Sequence, residues 1–100
     1  MKGKAKESSF QSSLIKKLRE TFPGCIVLKN DPNYIQGIPD LLVLIGNRWF
    51  AFEDKRSPDA PHQPNQDYYI SKMNEMSFAR FVDPTNAEEI INEIQQTLES

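Results

Sequence analysis

From Ala5 to Phe22 apolar residues return every four positions, at Phe10, Leu14, Leu18 and Phe22, with Lys16, Lys17 and Arg19 between them. That spacing predicts an amphipathic helix, and Pro23-Gly24 ends it. At about 100° per residue, Glu7 and Gln11 fall on the stripe of Leu14 and Leu18, so two polar groups open the core-facing side.

The short apolar run "CIVLKN" that follows predicts a strand, and "DPNYIQG" has the Asp-Pro-Asn and Gly punctuation of a loop. "IPDLLVLIGNRWFAFEDK" is two apolar runs around Gly46-Asn47, the pattern of a β-hairpin. The runs are nearly continuous rather than alternating, which implies that helices cover both faces. Three prolines between Ser57 and Pro64 make a loop. "NQDYYISKMNEM" then has helical spacing through Tyr69, Ile70 and Met73, and "SFARFV" is a short strand. Asp83-Pro84 breaks that strand, Thr85 or Asn86 can cap, and "AEEIINEIQQTLE" closes the chain as a helix with Ile90, Ile91, Ile94 and Leu98 on one face. The expected order is α-β-β-β-α-β-α, an α/β domain whose mixed sheet has helices on both sides.

One hundred residues make a single domain, 1–100, with one modest core. A hydrophobic fraction of 38% against 26% charged excludes a disordered or membrane chain, and the run Leu41–Ile45 is far too short to cross a bilayer. The basic start "MKGKAKESSF" has no long apolar stretch behind it, so no secretory signal is read and a cytoplasmic location is expected. The single cysteine, Cys25, excludes an internal disulfide and any multi-cysteine zinc site, and is expected to be a buried structural residue. Net charge is −2, but residues 1–56 carry ten Lys/Arg against six Asp/Glu and residues 57–100 two against eight. A basic N-terminal half suits a local phosphate-binding surface.

The hairpin carries the candidate chemistry. If Gly46-Asn47 is a two-residue turn, Ile45 faces Arg48, Leu42 faces Ala51, and Asp40 faces Glu53; a four-residue loop keeps that register and a three-residue loop shifts it by one. Directly opposed side chains lie on one face with Cβ atoms roughly 5 Å apart. Lys55, two residues past Glu53, points the same way. Two close carboxylates need compensation, and a hard divalent cation such as Mg²⁺ supplies it, because it binds one or two carboxylates with waters and a substrate phosphate. Read without further context, the same residues are solvated strand ends.

"GIPDLLVL" followed by "FEDK" resembles the PD-(D/E)xK nuclease superfamily, and the Gly-x-Pro-Asp-Leu form is similar to its VRR-NUC branch, related to Holliday-junction resolvases. The resemblance spans roughly Glu7 to Tyr69. It implies a restriction-endonuclease-like core, with Asp40 and Glu53 as metal ligands and Lys55 beside the attacking water and the phosphate. Glu7 matches the acidic residue that such families add to the metal site, and Gln66, better than Gln63, matches a glutamine on the following helix. The chain departs from the family at Asp54, where an apolar residue is usual, so the strand end is exposed there or Asp54 pairs with Arg56 or Lys29.

The reaction so implied is phosphodiester hydrolysis in DNA by in-line attack of a water, with Mg²⁺, or Mn²⁺ in its place, stabilising the phosphate charge. Lys6, Lys16, Lys29 and Arg56, with Lys2, Lys4 and Lys17, are candidate phosphate contacts. Gln11 is expected on the helix surface or behind the site. His62 is expected to be an exposed bystander in its loop, and Trp49, Phe50, Phe52, Tyr68 and Tyr69 to pack the helices on the sheet. A structure-directed nuclease for junction or branched DNA is the first expectation. A nicking or restriction-like nuclease and a catalytically silent DNA-binding module of the same fold are the alternatives. Cutting two strands symmetrically needs two sites, so a homodimer is expected, with the apolar face of the last helix as its candidate surface. Its small size would suit phage or mobile-element DNA processing, in the host cytoplasm if phage-encoded.

Overall fold

The computed structural model describes the backbone from Lys2 to Ser100 and the side chains from Ser9 onward. Its elements are α1 (Lys2–Thr21), β1 (Ile26–Lys29), β2 (Leu41–Ile45), β3 (Arg48–Asp54), α2 (Gln66–Met76), β4 (Ala79–Val82) and α3 (Ala87–Glu99), in the expected order. The four strands form one mixed sheet, ordered β1-β2-β3-β4, antiparallel except for the parallel β3–β4 pair. No helix among the described residues is long and apolar enough to cross a membrane.

Strand alternation divides the core. Leu41, Val43, Phe50 and Phe52 point to one face, where they pack with Leu14, Leu18 and Phe22 from α1 and its end and with Ile90, Ile91 and Ile94 of α3. Burying each such side chain is worth roughly 1.5–3 kcal/mol, so this face holds most of the fold's hydrophobic stabilisation. The apolar face of α3 lies inside this core and is not a free surface for a second copy, contrary to expectation. Cys25 is only half-buried at the rim of the core.

On the other face α2 rests chiefly on β3 and β4. The covering expected over the whole hairpin is therefore incomplete, and Ile26 and Leu28 of β1 stay 55% and 43% exposed. Tyr68, expected to pack between helix and sheet, is 58% exposed. At the start of α3 neither expected cap bonds as one: the Asn86 side chain turns back to the Asp83 N–H at 2.9 Å and the Phe81 carbonyl at 3.1 Å, and the Thr85 hydroxyl donates to Asp83.

Candidate active site

The turn between β2 and β3 has two residues, since Ile45 pairs with Arg48. Gly46, at φ 61°, supplies the positive φ that a hairpin turn of this length needs at its first position. The ladder runs from there to Leu41–Phe52, and the next two positions are Asp40 and Glu53. Asp40 is fixed through its own backbone and side chain: its carbonyl accepts from the Asn30 N–H at 2.8 Å, and its Oδ2 accepts from the Asp54 N–H at 2.9 Å.

Glu53, Asp54 and Lys55 follow one another at the end of β3 with 4%, 1% and 8% of their surface exposed. Burying three charged groups is costly unless each is compensated. Lys55 and Glu53 are joined through Gln66, the one buried residue of α2. Lys55 Nζ donates to Gln66 Oε1 at 2.7 Å and to the Pro61 carbonyl at 3.0 Å, and Gln66 Nε2 donates to Glu53 Oε2 at 3.1 Å. The Gln63 N–H also donates to Gln66 Oε1, at 2.8 Å. Two donors on Oε1 fix the amide's orientation, which leaves its NH₂ for the carboxyl. Gln66, rather than Gln63, thus places its side chain in the site.

Glu53 Oε1 is buried and receives no hydrogen bond from a donor. Burial, then repulsion from Asp40, pushes the Glu53 carboxyl from 4.5 up to about 9, with Lys55 offsetting only part of the cost. Burial beside a second carboxyl therefore disfavours the ionised form of Glu53. A cation beside the orphaned Oε1 would offset that cost. Among the described residues no group of three or more His, Cys, Asp or Glu is placed to hold a metal ion.

Asp54 points to the opposite face and, at 1% exposure, is buried rather than exposed. Its described side-chain partner is Gln11 of α1, whose Nε2 donates to Asp54 Oδ2 at 2.6 Å. Gln11 thereby ties α1 to the residue whose N–H holds Asp40, placing it behind the site. Glu7, one helical turn earlier on the same stripe, and Lys6 have side chains outside the described residues. Lys29 ends β1 and Arg56 follows Lys55, so both stand exposed at the end of the sheet where Asp40 and Glu53 meet. Lys16 is exposed five residues past Gln11, and α1 runs away from that end.

Two contributors were not foreseen from the sequence. Gly37, at φ 90°, lies so close to the start of α2 that a Cβ there would stand 2.6 Å from Asn65 Cβ and 2.8 Å from the Pro64 carbonyl oxygen. It therefore sets the approach of the strand bearing Asp40 to the helix bearing Gln66, and its place in Gly-Ile-Pro-Asp was the available signal. His62 is exposed, as expected, and its ring stacks on Phe81 at 4.0 Å and 16°, and its Nδ1 bonds Asp67 at 2.7 Å. Phe81 pairs with Glu53 across the parallel ladder, so the stack closes one side of the site.

In comparisons with protein-family models, curated proteins and solved structures, nothing matches this chain.

Proposed function

We propose that this chain is a divalent-cation-dependent endodeoxyribonuclease with a restriction-endonuclease-like core, acting on branched or junction DNA as a homodimer. The observation that carries the proposal is the carboxyl pair of half-buried Asp40 and buried Glu53, with Lys55 fixed beside Glu53 by Gln66. A structural salt bridge would match one carboxylate to one cation. Here Lys55 reaches Glu53 only through the Gln66 amide, and an oxygen of Glu53 is left without a donor.

Asp40 and Glu53, with Glu7 as the third candidate, would hold the cation, Mg²⁺ or Mn²⁺. When bound, it supplies Lewis-acid charge to a phosphate oxygen and lowers the pKa of water. Lys55 brings a compact positive charge to the same place; the Pro61 carbonyl and Gln66 restrict its rotation, leaving one N–H for a phosphate oxygen or the attacking water. Gln66 orients both Lys55 and Glu53, so it positions rather than reacts. Glu53 would give up its proton on binding the cation. Lys29 and Arg56 flank the pair and would meet the DNA backbone on either side.

Incubation with supercoiled, linear, flap and four-way-junction DNA, in Mg²⁺ or EDTA, tests the proposal. Wild type cuts at least one substrate in Mg²⁺ and none in EDTA; Asp40→Ala abolishes cutting and Lys55→Ala slows it about 10²-fold or more. If wild type cuts nothing in Mg²⁺ or Mn²⁺, the chain is a DNA-binding module and not an enzyme. If Asp40→Ala still cuts, the site lies elsewhere.

A further inference from the structure

Lys55 Nζ is held by one acceptor from a helix, Gln66 Oε1, and by one from a loop, the Pro61 carbonyl. The helix is fixed by its own backbone bonds. The loop has fewer means of holding still: Pro58, Pro61 and Pro64 have no N–H to give, and the Ala60 N–H bonds back to Ser57 within the same segment. If Lys55 is to stay against Gln66 and Glu53, something must keep the Pro61 carbonyl in place.

His62 is placed to do this. Its two chain neighbours each put a backbone group on the site: the Pro61 carbonyl accepts from Lys55 Nζ at 3.0 Å, and the Gln63 N–H donates to Gln66 Oε1 at 2.8 Å. The His62 ring between them is anchored on two other elements, by its stack on Phe81 of β4 and by its bond to Asp67 in the first turn of α2. The Pro61 carbonyl and the His62 Cα share one rigid peptide plane, so fixing His62 restricts where that oxygen can point. The His62 and Asp67 side chains are 36% and 76% exposed, and an exposed ion pair adds little stability, so its effect is felt in position.

We propose that His62 is a positioning residue for Lys55. Stacked on Phe81 and bonded to Asp67, it keeps the Pro61 carbonyl on Lys55 Nζ and the Gln63 N–H on Gln66, which sets the ammonium and the amide against Glu53. Without the ring, the Pro61 carbonyl leaves Lys55, which then keeps a single acceptor at the end of a flexible four-carbon stem. Gln66 at the same time loses one of the two donors that orient its amide. That Lys55 acts in cutting DNA rests on the proposed function; that His62 holds it does not.

Competitive acetylation of the full chain, without DNA and in EDTA, tests the proposal, with Lys55 read against exposed Lys16 in the same digest. In wild type Lys55 is expected to react much more slowly than Lys16. In His62→Ala the ratio is expected to rise about tenfold, because Lys55 is freed by local opening, while circular dichroism and the melting temperature change little. His62→Phe, which keeps the stack, is expected to restore most of the protection, and Asp67→Ala, which removes only the bond, to shift the ratio in the same direction as His62→Ala. An unchanged ratio in His62→Ala overturns the proposal. In Mg²⁺, cutting is expected to follow the same order, with kcat lowered about tenfold in His62→Ala, KM for DNA little changed, and most of the rate recovered in His62→Phe. A His62→Phe variant that protects Lys55 yet cuts as poorly as His62→Ala would overturn the positioning role and put His62 on the substrate itself. If the acetylation ratios follow the expected order but wild type cuts no DNA, the nuclease proposal fails and the hold of His62 on Lys55 stands.

Discussion

At Gln66 one amide serves two charged neighbours, accepting from Lys55 and donating to Glu53, so neither can move without the other. Burial changes Glu53 strongly, with its carboxyl raised to about 9. In the unfolded chain the same carboxyl titrates at its ordinary value of 4.5. Between those values unfolding releases a proton, so rising pH favours the unfolded state. In EDTA the melting temperature is therefore expected to fall from about pH 5 to about pH 9, and Glu53→Gln, which needs no ionisation, is expected to flatten that slope and melt higher than wild type near pH 8. Equal slopes for the two proteins would show that Glu53 ionises as an ordinary acid. Adding Mn²⁺ is expected to stabilise wild type increasingly as pH rises, and Glu53→Gln hardly at all.

The hairpin was legible because its turn announces itself: Gly46-Asn47 between two apolar runs leaves few registers, and the two-residue turn found is one of those that oppose Asp40 to Glu53. Gln11 and Asp54 were not legible as partners, since 43 residues separate them and nothing local joins them. The open half of the sheet was misjudged for a related reason. Continuous apolar runs in β2 and β3 show that both faces want covering, but not whether this chain's helices are enough to do it. Gly37 belongs to the same class, because its constraint is a tertiary approach to Asn65 rather than a turn of its own. Gly37→Ala combines positive φ with an overlap against backbone and is expected to cost more than about 2 kcal/mol, read in urea titrations. It is also expected to slow cutting more than a surface substitution of equal stability cost, because the displacement falls between Asp40 and Gln66. Full stability in Gly37→Ala would show that the two loops do not approach as closely as described.

Over the whole molecule, charge is arranged by position rather than by amount. The net −2 would repel DNA, yet Lys29 and Arg56 stand at the site's end of the sheet, while acidic Glu88, Glu89 and Glu93 lie on α3. Each phosphate contact contributes about 0.9 to the dependence of log K on log salt for duplex DNA. Lys29→Ala with Arg56→Ala is thus expected to lower that slope by nearly two and to weaken binding at every sequence alike. Lys16→Ala, on a helix that runs away from the site, is expected to change it little. If Lys16 alone moves the slope, the DNA crosses α1 and not the end of the sheet.

The most direct test of the cation site is the position of Mn²⁺ itself. In crystals grown with Mn²⁺ and a short DNA strand, the anomalous signal is expected between Asp40 and Glu53, within about 2.0–2.2 Å of a carboxylate oxygen from each. Lys55 is expected on the phosphate beside it. A signal elsewhere, or none, would contradict the account.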